Sequence, residues 1–214
     1  MKKTLHFTLI LAALASTRSF TNTLTTEDVE AQNIGIAFAR TQMKIFAFSP
    51  TKSDPFKGAL PRNLITEPIT MAEDAEMFKV LREIGAYIEK KDQSLMSDYN
   101  TLMNAYLDII NTLKVNYNVN VKPIGPDLVN IEKMIEPLAL DGWKPAKEMI
   151  ERLDKKASGW MTSTKTKDAL YLLIPFAQFI QGTVEQIFRN FNTLSQETSV
   201  KKSLSPLQAT SRQL

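Results

Sequence analysis

The chain has 214 residues, no cysteine, a single histidine (His6) and a formal net charge of +3, with 43% hydrophobic and 23% charged residues. This length and composition are sufficient for one domain with a sizeable core and exclude wholesale disorder. The nearly balanced, interspersed charges give no reason to expect nucleic acid or an anionic surface as a partner.

The N-terminal segment has the pattern of an export signal. Lys2 and Lys3 precede an apolar run, Leu5 to Ala15, that ends in the small-x-small pattern of Ala13 and Ala15. The run is shorter than the roughly 20 residues that span a bilayer. An N-terminal core helix is the alternative, but no charged face accompanies the apolar one. We therefore predict a cleaved signal peptide at 1–19 and a secreted protein, extracellular or periplasmic if bacterial, without a transmembrane span after cleavage.

The first predicted helix of the mature chain begins near Thr25 and Asp28, which form a loose capping box, and ends near Phe46. Its apolar residues do not share one face. A connector at 48–69 follows, whose four prolines exclude a regular helix. This connector also contains apolar side chains, so we expect it to lie across the bundle.

The best-marked element begins at Thr70, which forms a capping box with Glu73. Apolar residues then recur in steps of three and four, the period of a helix packed along its length, and neither proline nor glycine interrupts the chain from Ala86 to Tyr117. The pattern favours one long helix at about 71–117, bent near Lys91-Asp92. Two helices with a break there are the alternative.

The pattern of the remaining sequence predicts an extended connector and three further helices. A short helix runs from Asp127 to about Glu136 and ends before Pro137, since the residue before a proline is disfavoured in a helix. A second begins at Pro145 and continues its apolar stripe through Trp160 and Met161. The last spans about 167–194, with a kink at Pro175 and one apolar face that carries Leu172, Leu173, Phe176, Ile180, Val184, Ile187, Phe191 and Leu194. A disordered polar tail occupies 199–214. The fold class that follows is a single all-α domain at 20–198, a helical bundle of five or six helices.

Most catalytic chemistry is missing from this composition. His6 is lost with the signal peptide, so the mature chain offers no imidazole or thiolate for a nucleophilic triad or a zinc site. The isolated glycines form no phosphate-binding loop. Glu132 and Glu136, one helical turn apart, are the pair that we would nominate for carboxylate chemistry, although a solvated helix face explains them more simply. We therefore expect no enzyme, no cofactor and no metal site.

Aromatic residues are the remaining candidates for binding. Tyr99, Tyr106, Phe176 and Phe179 lie on apolar helix faces, where they would line a pocket for an apolar ligand or fill an ordinary core. Trp143 follows Asp141-Gly142 and would either anchor a partner or fold onto the next helix. Trp160 lies on an apolar stripe and is predicted to be core.

These features predict a secreted, non-enzymatic binding protein that docks an unknown protein partner or holds an apolar small molecule. One alternative is a membrane-active protein that exposes its C-terminal apolar helix. A hydrolase that uses carboxylates alone is the third hypothesis.

Overall fold

The computed structural model describes residues 26–46, 62–117 and 125–210, and the side chains of 29–46, 62–113 and 128–198. These residues form six α-helices and no strand, which confirms the prediction of an all-α bundle. The helices are α1 (Thr26–Ile45), α2 (Met71–Lys91), α3 (Met96–Tyr117), α4 (Gly125–Leu138), α5 (Lys144–Ala157) and α6 (Thr164–Thr210). The predicted signal peptide, most of the predicted proline-rich connector and most of the predicted link before α4 lie outside the described residues.

The first three helices pack side by side with alternating direction. Lys44 near the end of α1 pairs with Glu76 near the start of α2 at 2.7 Å. Lys90 near the end of α2 pairs with Glu30 near the start of α1 at 3.0 Å, so the two helices are antiparallel. The hydroxyl of Tyr99 on α3 donates to the Leu81 carbonyl of α2 at 3.0 Å. This bond joins the two sides of a helical hairpin.

The prediction of one long helix at about 71–117 is wrong, and the alternative of two helices is confirmed. The break falls at Asp92, whose backbone is extended at φ −154° and ψ 90°. Its carboxylate accepts hydrogen bonds from the Ser94 backbone at 3.1 Å and hydroxyl at 2.6 Å. Aspartate offers the backbone this local alternative to a continuing helix, and a 3₁₀ turn over Gln93–Leu95 then leads into α3.

The predicted helix end before Pro137 is also wrong, because α4 includes Pro137. The chain then passes through a π-helical turn at Ala139–Trp143 directly into α5. In this turn the Lys144 N–H donates to the Ala139 carbonyl five residues earlier. Pro145, next in the chain, has no backbone N–H with which to continue this ladder of hydrogen bonds. Pro145 itself lies in the first turn of α5, as predicted.

Helix α6 is the centre of the bundle and packs against all five other helices. It contains Pro175 without ending there, and it continues to Thr210. The predicted polar tail at 199–214 is therefore helical as far as Thr210. The apolar residues predicted on one face are buried at its centre: Leu172, Leu173, Phe176, Ile180, Val184 and Ile187.

The segment 62–70, which we call the strap, crosses the bundle ahead of α2. Its apolar residues Leu64, Ile65 and Ile69 are buried. The buried side chain of Asn190 on α6 accepts a hydrogen bond from the Leu64 backbone at 2.9 Å. The predicted capping box is present where the strap enters α2: Thr70 and Glu73 each accept a hydrogen bond from the other's backbone.

Candidate functional site

The four aromatic residues predicted to line a pocket meet at the centre of the core. Tyr99 lies 6.2 Å from Phe176 and Tyr106 lies 6.3 Å from Phe179, measured between ring centroids. Phe38 of α1 contacts both phenylalanines edge-on, at 6.2 and 5.7 Å. All five rings are buried. Because the rings lie within contact distance of one another, an apolar ligand would enter this site only by separating them.

Both tyrosine hydroxyls of this cluster are used inside the fold. Tyr106 donates to Asp74 at 2.8 Å, and Tyr99 donates to the Leu81 carbonyl. Burial raises the pKa of the Tyr99 phenol, an effect that the charge of Arg82 opposes. The ring of Tyr99 lies directly against Gly85, where a β-carbon would come within 2.6 Å of its hydroxyl oxygen. Glycine at this position therefore makes room for the tyrosine.

Trp143 is half-buried at the π-helical turn. Its indole N–H donates to Glu185 of α6 at 3.1 Å, and Lys147 lies 5.1 Å from the ring centroid. Gln181 donates to the same carboxylate at 3.2 Å. The side chain thus joins the turn to the central helix.

The carboxylates of α4 and α5 lie on solvent-exposed helix faces. Glu132 and Glu136 are both exposed. Arg152 of α5 pairs with Asp98 of α3 at 2.6 Å. Within the described ranges, no group of three or more histidine, cysteine, aspartate or glutamate side chains is arranged to hold a metal ion.

The most exposed large apolar side chains among the described residues, besides Met71, are Trp160 and Met161, which are 90% and 80% exposed. The prediction that Trp160 belongs to the core is wrong. Helix α5 ends at Ala157, before the apolar stripe reaches these residues, and both lie on the turn Ser158–Ser163 that connects α5 to α6. We call this turn the tip.

Hydrogen bonds hold the tip in shape. The Ser158 N–H bonds the Asp154 carbonyl, and the Thr162 N–H bonds the Gly159 carbonyl at 3.2 Å. The Thr162 hydroxyl reaches back to the Lys156 carbonyl at 2.6 Å. A β-carbon at Gly159 would lie 2.9 Å from that hydroxyl oxygen, so a larger residue there would force the Thr162 side chain to shift. The tip is therefore a built element that presents two apolar side chains to solvent.

A second contact fixes the start of α6, next to the tip, against the hairpin of α2 and α3. Thr166, in the first turn of α6, donates to Asp92 at 2.7 Å. Hydrogen bonds from Ser94 and Thr166 hold the pKa of Asp92 below its usual value, with a further contribution from the charge of Lys156. The tip and the α2–α3 junction thus occupy the same end of the bundle.

Four lysines flank the two apolar residues of the tip. Lys155 and Lys156 end α5, and Lys165 and Lys167 lie at the start of α6. In the part of the chain that the structure describes, none of the four forms an ion pair. The balanced charge of the whole chain concealed this local cluster.

Two other features of the surface also include apolar residues. An open groove of about 670 Å³ between α1 and α2 is lined by Asn33, Glu83 and Tyr87, among others. Val29, Ile36 and Met43 lie seven residues apart on the outer side of α1 and are each at least 40% exposed. Neither feature combines its apolar residues with an unpaired charge cluster as the tip does.

The described helices include none that is both long enough and apolar enough to cross a membrane. Comparison with models of protein families, with curated proteins and with solved structures finds no match for this chain.

Sequence reasoning missed Trp160 and Met161 because it followed hydrophobic periodicity past the end of a helix. The contrary signal was present in the sequence. Ser158-Gly159 has the character of a helix C-terminus, and the polar run Thr162-Ser163-Thr164 that of a helix N-terminus.

Proposed function

We propose that this protein is an exported, non-enzymatic binding module that docks onto its target through the tip. The observation that carries the proposal is the exposure of Trp160 and Met161 on a turn held by hydrogen bonds. Tryptophan is the residue most often found as the energetic centre of a binding surface, and a rigid turn loses little conformational freedom when it docks.

The close packing of the aromatic cluster favours docking at the surface over binding of an internal ligand. Tyr99, Tyr106, Phe176 and Phe179 pack on one another and on Phe38, so that a ligand would have to displace core side chains. A membrane-active role through the C-terminal helix would require the removal of α6, against which every other helix packs. The tip, in contrast, can bind without any rearrangement of the core.

Oxidative footprinting tests this proposal without knowledge of the target. The purified protein is exposed to hydroxyl radicals alone, and then in the presence of fluid or envelope material from its own host. Oxidation of Trp160 and Met161 is read by mass spectrometry. Met71 is the internal control, because it is 83% exposed at the start of α2, far from the tip along that helix.

Selective protection of Trp160 and Met161 in the presence of host material is the expected result. If host material leaves the oxidation of Trp160, Met161 and Met71 unchanged in every fraction, docking through the tip is refuted. Protection of Met71 without protection of Trp160 would place the binding surface at the opposite end of α2.

A further inference from the structure

The target of the tip is constrained by the charges around it. Between Asp154 and Asp168 the chain carries Lys155, Lys156, Lys165 and Lys167. Asp154 is exposed and Asp168 is buried, while the four lysines are exposed or half-exposed, so lysines outnumber exposed carboxylates in this stretch. The surface around Trp160 is therefore positive, and the complementary partner surface is negative.

The shape of the tip and the chemistry of its tryptophan further limit which kinds of target the tip could bind. The tip is the connection between two helices, and its indole ring is almost wholly in solvent. The Trp160 N–H has no hydrogen-bond partner among the described residues. A protein target would need a pocket for this ring as well as an acidic rim. A lipid interface receives an indole without a preformed pocket, because the ring enters the acyl boundary while the N–H stays at headgroup level.

We infer that the tip docks onto an anionic lipid surface. Trp160 and Met161 enter the interface and the flanking lysines meet the headgroups. The inference rests on the proposed docking function and names its target. Apolar insertion and attraction of lysine to anionic lipid are each weak alone, and their combination is what gives stable peripheral binding.

Vesicle flotation tests the inference directly. The protein is purified in the form its secretory host produces, and mixed with vesicles of phosphatidylcholine alone or with about one third phosphatidylserine. We expect binding to the anionic vesicles, weak binding to the neutral ones, and release by high salt, because salt screens the attraction of the lysines. All variants are made in the same chain, so any contribution of residues 1–25 is common to them.

Matched substitutions separate the two parts of the site. Trp160→Ala is expected to lower partitioning ten-fold or more, from the loss of its inserted apolar area. Met71→Ala, at a site of similar exposure on the opposite end of α2, should change it less than about two-fold. The double variant K165Q/K167Q should lower binding about ten-fold at low salt, and K79Q/K133Q, of the same net charge, much less. Circular dichroism confirms that each exposed substitution leaves the fold intact.

Fluorescence then locates the indole itself. In a Trp143→Phe variant, Trp160 is the only tryptophan. Its emission should shift to the blue with anionic vesicles, and bromine atoms on the acyl chains should quench it. Unchanged emission, or equal flotation of wild type and Trp160→Ala, would overturn the inference.

The experiments also distinguish failure of the inference from failure of the proposed function. No vesicle binding together with protection of Trp160 by a host protein fraction would overturn the lipid target and leave docking through the tip standing. Absence of both vesicle binding and footprint protection would refute both.

Discussion

Replacement of Gly85 by alanine tests the tightest contact of the core. In an ordinary helix this change stabilises, because alanine is favoured over glycine by about 1 kcal/mol. Here the added β-carbon would lie 2.6 Å from the Tyr99 hydroxyl oxygen and 2.7 Å from Cε1 of its ring. The ring would have to move and give up its hydrogen bond to the Leu81 carbonyl.

The magnitude follows from three opposing terms. Overpacking of a well-filled core destabilises by about 1–3 kcal/mol. Loss of a buried hydrogen bond adds about 1 kcal/mol. The helix propensity of alanine offsets about 1 kcal/mol of this sum. We therefore expect Gly85→Ala to lower the free energy of unfolding by roughly 1–3 kcal/mol, the opposite sign to that for an unhindered glycine.

Urea denaturation followed by far-ultraviolet circular dichroism measures this change, and a double-mutant cycle identifies its cause. Tyr99→Leu removes the ring atoms that the new β-carbon would meet. In that background Gly85→Ala should become stabilising by up to about 1 kcal/mol. Stabilisation by Gly85→Ala in the wild-type protein would refute the reasoning, and so would equal destabilisation in both backgrounds.

Three further predictions concern the strap and the tip end. Asn190→Leu leaves the buried Leu64 N–H without an acceptor and should lower the free energy of unfolding by about 1–3 kcal/mol, with faster tryptic cleavage of the strap; an unchanged cleavage rate would refute this. Burial opposes ionisation of Glu73, but hydrogen bonds from Arg62 and Thr70 outweigh it and hold its pKa below the usual value of a glutamate. The resulting stability is present above the unfolded pKa and lost as pH falls through the folded one. Arg62→Met should therefore reduce the loss of stability between about pH 5 and pH 3, as urea titrations at each pH would measure. Thr166→Val removes the bond to the α2–α3 junction and should speed amide hydrogen exchange at the tip, while leaving exchange in the middle of α6 unchanged.

The elements predicted correctly from sequence are those whose signals are local. The capping box of Thr70 and Glu73 involves residues three apart, and the structure forms both of its hydrogen bonds. The end of α1 lies within one residue of the predicted Phe46. Apolar periodicity likewise identified the buried face of α6. Each of these patterns depends on neighbours along one helix, which a single sequence displays directly.

The prolines show why the same approach failed between α4 and α5. A proline is expected to end a helix because its ring and missing N–H disturb the preceding turn. Pro137 and Pro145 instead flank a π-helical turn, which the chain adopts where it packs against α6 and α3. Whether packing outweighs the local strain depends on the surrounding helices. The sequence pattern within one segment contains no information on those helices.

The tip shows a different reason for failure, and one that bears on function. Periodicity assigns an apolar residue to the core whenever it falls on the expected helix face. It therefore places Trp160 and Met161 on the same buried face as Met149 and Leu153. Met149 and Leu153 are buried, whereas the helix ends at Ala157 and the next two apolar side chains face water. Burial of an indole stabilises a fold by several kcal/mol, about 25 cal/mol for each Å² of apolar area removed from water. A turn that keeps Trp160 in solvent forgoes that stabilisation in the free protein and makes it available on contact with a target.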